Sequence, residues 1–132
     1  MVTHIQHEES HTYRLKGQNK YLTFIEQDEG RRYFKAYIAD RLDGEWTPLA
    51  DTAERPFAGA ANVRPKQGVD PWTDNISHGE LIRDSNDQRL VIDSNNLQLI
   101  FQGMLQKDKS SKDYGKFDWR LGLLTPTRKA ER

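Results

Sequence analysis

Short runs of Tyr, Phe, Ile, Val and Thr alternate with clusters of Gly, Asn, Asp and Ser along most of this chain, the pattern of strands joined by tight turns. "TYRLK" and "YLTFIEQ" flank the turn "GQNK", and "DEGR" leads into "RYFKAYIAD", so residues 12–40 read as a three-stranded meander, with "EWTPLA" a short fourth run. Four later candidates are "NISHGELIRD", "QRLVID", "NLQLIFQG" and "WRLGLLTP", divided by "SNDQ" and "DSNN". No stretch of helical length keeps apolar residues at i, i+3 and i+4, which leaves an all-β fold. Residues 51–73 hold Pro56, Pro65, Pro71 and the small-residue cluster "FAGAANVRP", a long loop of the kind that lines binding faces on β scaffolds; "QKDKSSKD" is a second, charged loop.

One domain accounts for 132 residues, in which only 35% hydrophobic content forces a thin core or one completed from outside. Residues 1–11 form an N-terminal segment, 12–126 the domain and 127–132 a tail. Two four-strand groups suggest sheet units like propeller blades; at roughly 40–45 residues per blade the chain holds about three at most, fewer than the four or more a closed propeller needs.

Composition narrows the chemistry. Twenty basic residues balance twenty acidic ones, so there is no net positive field to attract nucleic acid. Cysteine is absent, which removes disulfides, thiolate metal sites and thiol nucleophiles. The opening "MVTHIQHEES" has neither the basic nor the apolar region of an export signal, and no run approaches the length of a membrane span. His4, His7 and His11 have a spacing that suits one helical face and invites a zinc reading, although no carboxylate or cysteine completes a motif.

The stretch "NISHGELIRD" carries the clearest chemistry. Strand alternation puts Ile76, His78, Glu80 and Ile82 on one side and Ser77, Gly79, Leu81 and Arg83 on the other. An acid between isoleucines loses solvation of its charged form, which raises its pKa and suits it to donate a proton near neutral pH. The alternative is an ordinary solvent-facing or salt-bridged glutamate beside a structural histidine, and alternation alone does not decide between them. Gly79 leaves room for a close approach by backbone or ligand.

"RPFAGAANV" followed by "WTDNISHGELIRD" resembles the C-terminal part of glycoside hydrolase family 62, the arabinofuranosidases that remove arabinose side chains from arabinoxylan. The resemblance extends through "YRLKGQNKYLT", "GRRYFKAYIADRLDGEWTPLA", "NLQLIFQG" and "WRLGLLTP", nearly the whole chain. It implies a five-bladed β-propeller of which this chain supplies the last two to three blades, an extracellular inverting hydrolase acting on arabinoxylan or arabinan, and Glu80 as the general acid. It also implies that the two catalytic aspartates lie in earlier blades, so that a missing N-terminal half, or self-association, has to complete the site. A non-catalytic carbohydrate-binding protein that kept the sugar surface, with Trp72 or Tyr114 stacking on a glycan, is the other reading.

Further site residues follow from the same resemblance. The family's sugar-contacting tyrosine, in a "YN" pair six residues before Arg120, maps onto Tyr114, with Gly115 in place of the asparagine. Asn62 in "GAANV" is a candidate substrate contact, its alternative role being to fix the loop through backbone hydrogen bonds. Related propeller glycosidases carry an axial calcium near a histidine, which implicates His78, although calcium generally prefers oxygen ligands. Many members read "DPCNL" where this chain has "DSNNL", so a family cysteine is Asn95 here.

Overall fold

The structure, a computed structural model, describes residues 7–109 and 113–127. Its strands are β1 (His7–Leu15), β2 (Tyr21–Glu29), β3 (Arg31–Ala39), β4 (Thr47–Ala50), β5 (Ser77–Leu81), β6 (Val91–Ile92), β7 (Leu99–Gly103) and β8 (Arg120–Leu124), and the only helical pieces described are two 3-10 turns, Gln106–Lys109 and Tyr114–Lys116. The all-β expectation holds. The meander forms as read, with β1, β2 and β3 pairing antiparallel and β4 added to β3. β1 begins at His7, ahead of Thr12, and the histidine-bearing segment is strand rather than helix, so the helical face proposed for zinc does not form; His4 lies outside the described residues.

The second group of four runs does not form one sheet. β5, β7 and β8 pair in the order β5-β7-β8, whereas β6 leaves them and adds in parallel to β1, giving a five-stranded sheet of order β4-β3-β2-β1-β6. Both sheets are open. β6 pairs through only Arg14–Val91 and Leu15–Ile92, and burial of Ile92 is what holds it there. Two-residue pairing carries too little pattern for sequence to assign it a sheet.

A single apolar cluster joins the two sheets. Tyr13, Leu15, Leu22, Phe24, Phe34, Ala36 and Ile92 face it from the larger sheet, and Leu81, Leu99 and Phe101 from the smaller, with Ile76 and Ala58 between. Phe24 meets Phe34 edge to face at 4.6 Å, and Tyr13 stacks on Phe24 at 5.8 Å, geometries that suit the ring quadrupoles. Buried Tyr13 keeps its hydroxyl satisfied by accepting the Leu81 N–H across the sheets at 3.1 Å. The close approach anticipated at Gly79 is made by protein: a β-carbon there would sit 2.9 Å from the Ile100 carbonyl oxygen.

The long loop docks back on the meander. Phe34 and the 57–58 segment exchange backbone hydrogen bonds of 2.8 and 2.9 Å, so the loop extends the sheet beyond the end of β4. Beneath it Tyr33 is 5% exposed, and burial, followed by a hydrogen bond to the Glu29 carboxylate, pushes its phenol well above the usual tyrosine range. Burial likewise raises Tyr37, with help from Asp51. A phenol whose pKa is higher folded than unfolded stabilises the fold fully below about pH 10, and that contribution is lost as pH climbs above the unfolded value. The urea midpoint should therefore fall between pH 8 and pH 11, and Tyr33→Phe should flatten the fall; an equally steep fall in the variant would refute the assignment to Tyr33.

Candidate active site

The strand that bears Glu80 is held from below by a buried carboxylate. Leu22, Phe24 and Glu26 share the inward face of β2, and all three are buried, Glu26 completely. Glu26 Oε2 accepts from Arg32 Nη1 at 3.0 Å and from Ser77 Oγ at 2.9 Å, while Oε1 accepts the backbone N–H of His78 at 2.6 Å. Buried charge demands this degree of satisfaction. Asn75 adds a second tie, its Oδ1 accepting the Arg32 backbone N–H at 2.8 Å. Together these bonds fasten the start of β5 to the larger sheet.

The fastening bends β5. His78 adopts φ 38°, a left-handed backbone rare for residues with a β-carbon, and the pairing with β7 slips between Ser77 and Glu80. Past this bulge the alternation is regular: His78, Glu80 and Ile82 point outward, and Ser77, Gly79 and Leu81 inward. Ile76 departs from the expectation, lying fully buried in the core instead of beside His78.

Glu80 is correspondingly wet. Its side chain is 58% exposed, with Arg83 Nε 3.9 Å away, so the loss of solvation inferred from two flanking isoleucines is not supplied here. It does border an open hollow of about 320 Å³ shared with Ile82, Arg83, Ser85, Asn86 and Ile100. Among the described residues that line this hollow, Glu80 is the sole carboxylate.

Glu26 and Arg32 were not singled out by sequence reasoning, yet the signal was present. The argument applied to Glu80, an acid at an alternating position among apolar residues, applies with equal force to "LTFIE", and there the structure places the acid inside. Beside this pair, Arg32 and Lys109 both lie over the Trp119 ring, at 5.7 and 5.1 Å, and Lys109 Nζ donates to Asn75 Oδ1 at 3.1 Å. Burial, and then the Arg32 charge, pulls the Lys109 ammonium below its usual range.

Asn62 and Trp72 border hollows other than the one beside Glu80. Asn62 folds its own loop: Oδ1 accepts the Gly59 N–H at 2.9 Å, and Nδ2 donates to the Pro56 and Phe57 carbonyls at 3.1 Å each. It also borders a hollow of about 350 Å³, walled by Phe57, Leu81, Leu97 and Leu124. Asn62→Ala should lower stability by about 1–2 kcal/mol by stranding these loop groups; an unchanged urea midpoint would contradict this. Trp72 stacks on Phe101 at 5.7 Å and borders a separate hollow with Arg64 and Lys66. Tyr114 opens the second 3-10 turn, and its side chain lies outside the described residues.

His78 lies 40% exposed, Nδ1 3.8 Å from Glu26 Oε1. Among the described residues no three His, Cys, Asp or Glu side chains assemble into a group able to hold a metal, and Glu26 already serves Arg32, Ser77 and His78. These residues do not by themselves fit a calcium ion. No helix among the described residues is long and apolar enough to cross a membrane.

Comparison with known proteins bears on this arrangement. Residues 2–125 match the profile of glycosyl hydrolase family 62. Alpha-L-arabinofuranosidase C of Cellvibrio japonicus (strain Ueda107) is 43% identical over 118 residues, covering 89% of this chain but 18% of that protein. Among solved structures, the catalytic domain of a Coprinopsis cinerea family 62 α-L-arabinofuranosidase is 42% identical with a TM-score of 0.79, over 88% of this chain and 36% of that one. A family 62 hydrolase in complex with xylotriose is 41% identical with a TM-score of 0.78, over 89% and 36%. The chain thus spans about a third of these solved relatives and under a fifth of the curated one.

Proposed function

Because the chain belongs to glycosyl hydrolase family 62, we propose that it contributes part of an inverting α-L-arabinofuranosidase, with Glu80 as the proton donor to the leaving glycosidic oxygen. The observation that carries the reading is family membership across residues 2–125 combined with the outward placement of Glu80 at the mouth of a hollow, where a substrate has access. The substrate we assign is an arabinofuranosyl side chain on a xylan backbone, in keeping with the relative solved with xylotriose. On this reading the two open sheets are blades of an incomplete five-bladed propeller.

Inversion needs a second carboxylate, about 6.5–9.5 Å from the acid, to activate water on the opposite sugar face. The hollow beside Glu80 offers none among the described residues. A base supplied by a further polypeptide region has to face Glu80, and the same region would dry the acid by covering it. The 132-residue chain assayed alone is therefore expected to release no arabinose above background from arabinoxylan. A domain completed with the unaligned part of the Coprinopsis cinerea relative should release it, and turnover by the isolated chain would overturn the shared-site reading.

A further inference from the structure

Beside β8 lies a hollow of about 250 Å³ to which the hydrolytic reading gives no role. Two kinds of side chain line it. Trp72, Val69 and Leu123 supply apolar walls, and Arg64 and Lys66 bring two positive charges. No carboxylate among the described lining residues offsets them, and Asp74, close by in sequence, is turned to Arg31 at 3.1 Å and the Gln106 N–H at 2.7 Å. The chain as a whole balances twenty basic against twenty acidic residues, so this excess belongs to the hollow and not to the overall charge.

Both kinds of group are held in place. Arg64 Nη1 donates to the Val63 and Ala60 carbonyls at 3.0 and 3.5 Å, which anchors the guanidinium and leaves Nη2 and Nε without a partner among the described residues. Trp72 lies half-buried on Phe101, ring centroids 5.7 Å apart and planes 20° from parallel. Gly122 makes room for the stack: a β-carbon there would come within 2.7 Å of the Phe101 ring and 2.8 Å of Trp72 Cη2.

A guanidinium fork beside an ammonium matches a carboxylate, and an indole wall matches the apolar face of a sugar ring. The volume falls below the roughly 300 Å³ at which pockets for drug-sized ligands begin, and suits a single ring. We propose that this hollow binds an acidic sugar, a hexuronic acid carried as a branch on a xylan chain, with Arg64 and Lys66 on its carboxylate and Trp72 against its ring. A small inorganic anion would satisfy the two cations but leave the indole wall unused. The saccharide half of the inference rests on the xylan reading of the substrate; the anionic half rests on the side chains themselves.

The test is an NMR titration of the isotope-labelled 132-residue chain, whose spectrum also reports that each variant is folded. The ligand is xylotriose bearing one glucuronic acid branch, and the control is the same oligosaccharide with its carboxyl group reduced to the alcohol. Of the three tryptophan indole N–H signals, the one that vanishes in Trp72→Phe should shift with the acidic ligand. The reduced ligand should bind at least about tenfold more weakly, and so should the acidic ligand to Lys66→Met and to Arg64→Met, each of which removes one charged contact. Lys66→Met alters an exposed side chain, so its result stands if Arg64→Met disturbs the loop. Equal binding of the acidic and reduced ligands would overturn the proposal, as would unchanged affinity in folded Lys66→Met or a Trp72 signal that does not move. Inorganic phosphate, at matched ionic strength, shifting that signal as far as the oligosaccharide does would reduce the hollow to a simple anion site and equally overturn it. Binding is read without turnover, so a chain that ignores uronic acids leaves the catalytic assignment of Glu80 standing, and loss of that assignment leaves this result standing.

Discussion

Glu26→Ala is expected to cost about 3–5 kcal/mol of stability, a large part of the roughly 5–15 kcal/mol that holds a domain together. The substitution leaves the Arg32 guanidinium, 8% exposed, without its shortest ionic partner, and frees the Ser77 hydroxyl and the His78 N–H at the start of β5. Asp28, at 3.7 Å from Nε, is too distant to replace a 3.0 Å charge-assisted bond. Urea denaturation followed by circular dichroism reads the effect. Replacing the pair together, Glu26→Leu with Arg32→Met, should recover much of the loss, because two apolar groups leave no buried charge uncompensated. A single variant within about 1 kcal/mol of the parent would show that the pair is not what fastens the two sheets.

Glu80→Gln carries the other large expectation: arabinose release by the completed domain should fall about 10²–10⁴-fold, the usual contribution of a general acid. Glutamine keeps the shape and the outward position but has no proton to deliver to the leaving oxygen. The side chain is 58% exposed and serves no buried network, so the same change should leave the urea midpoint of the chain where it was. The pairing of lost turnover with retained stability is what separates a proton donor from a structural residue. An aryl arabinofuranoside with a good leaving group, which needs little protonation, should recover much of the rate. If the completed domain keeps full activity on arabinoxylan after the substitution, the acid is another residue and Glu80 reverts to a surface glutamate paired with Arg83.

Strand periodicity and turn chemistry are local, and they were enough to place the meander, its hairpin turns, the strand of "SHGEL" and the facing pair "NLQLIFQG" and "WRLGLLTP". Alternation also told which residues share a face, and His78, Glu80 and Ile82 do share one. It carries no information on which face is covered, because coverage depends on elements distant in the chain. That is why two glutamates with the same local pattern had opposite fates: Glu26 was drawn inside by Arg32, Ser77 and the His78 backbone, while Glu80 was left in water by a sheet with nothing described against its outer side. The departure of β6 to the larger sheet and the burial of Ile76 have the same origin, a contact made across many residues of sequence. Periods and turns along this chain determined its strands; only the packing of one sheet on the other decided which of its charges are structural and which are free to act, since desolvation is a property of the assembled surroundings and not of the strand.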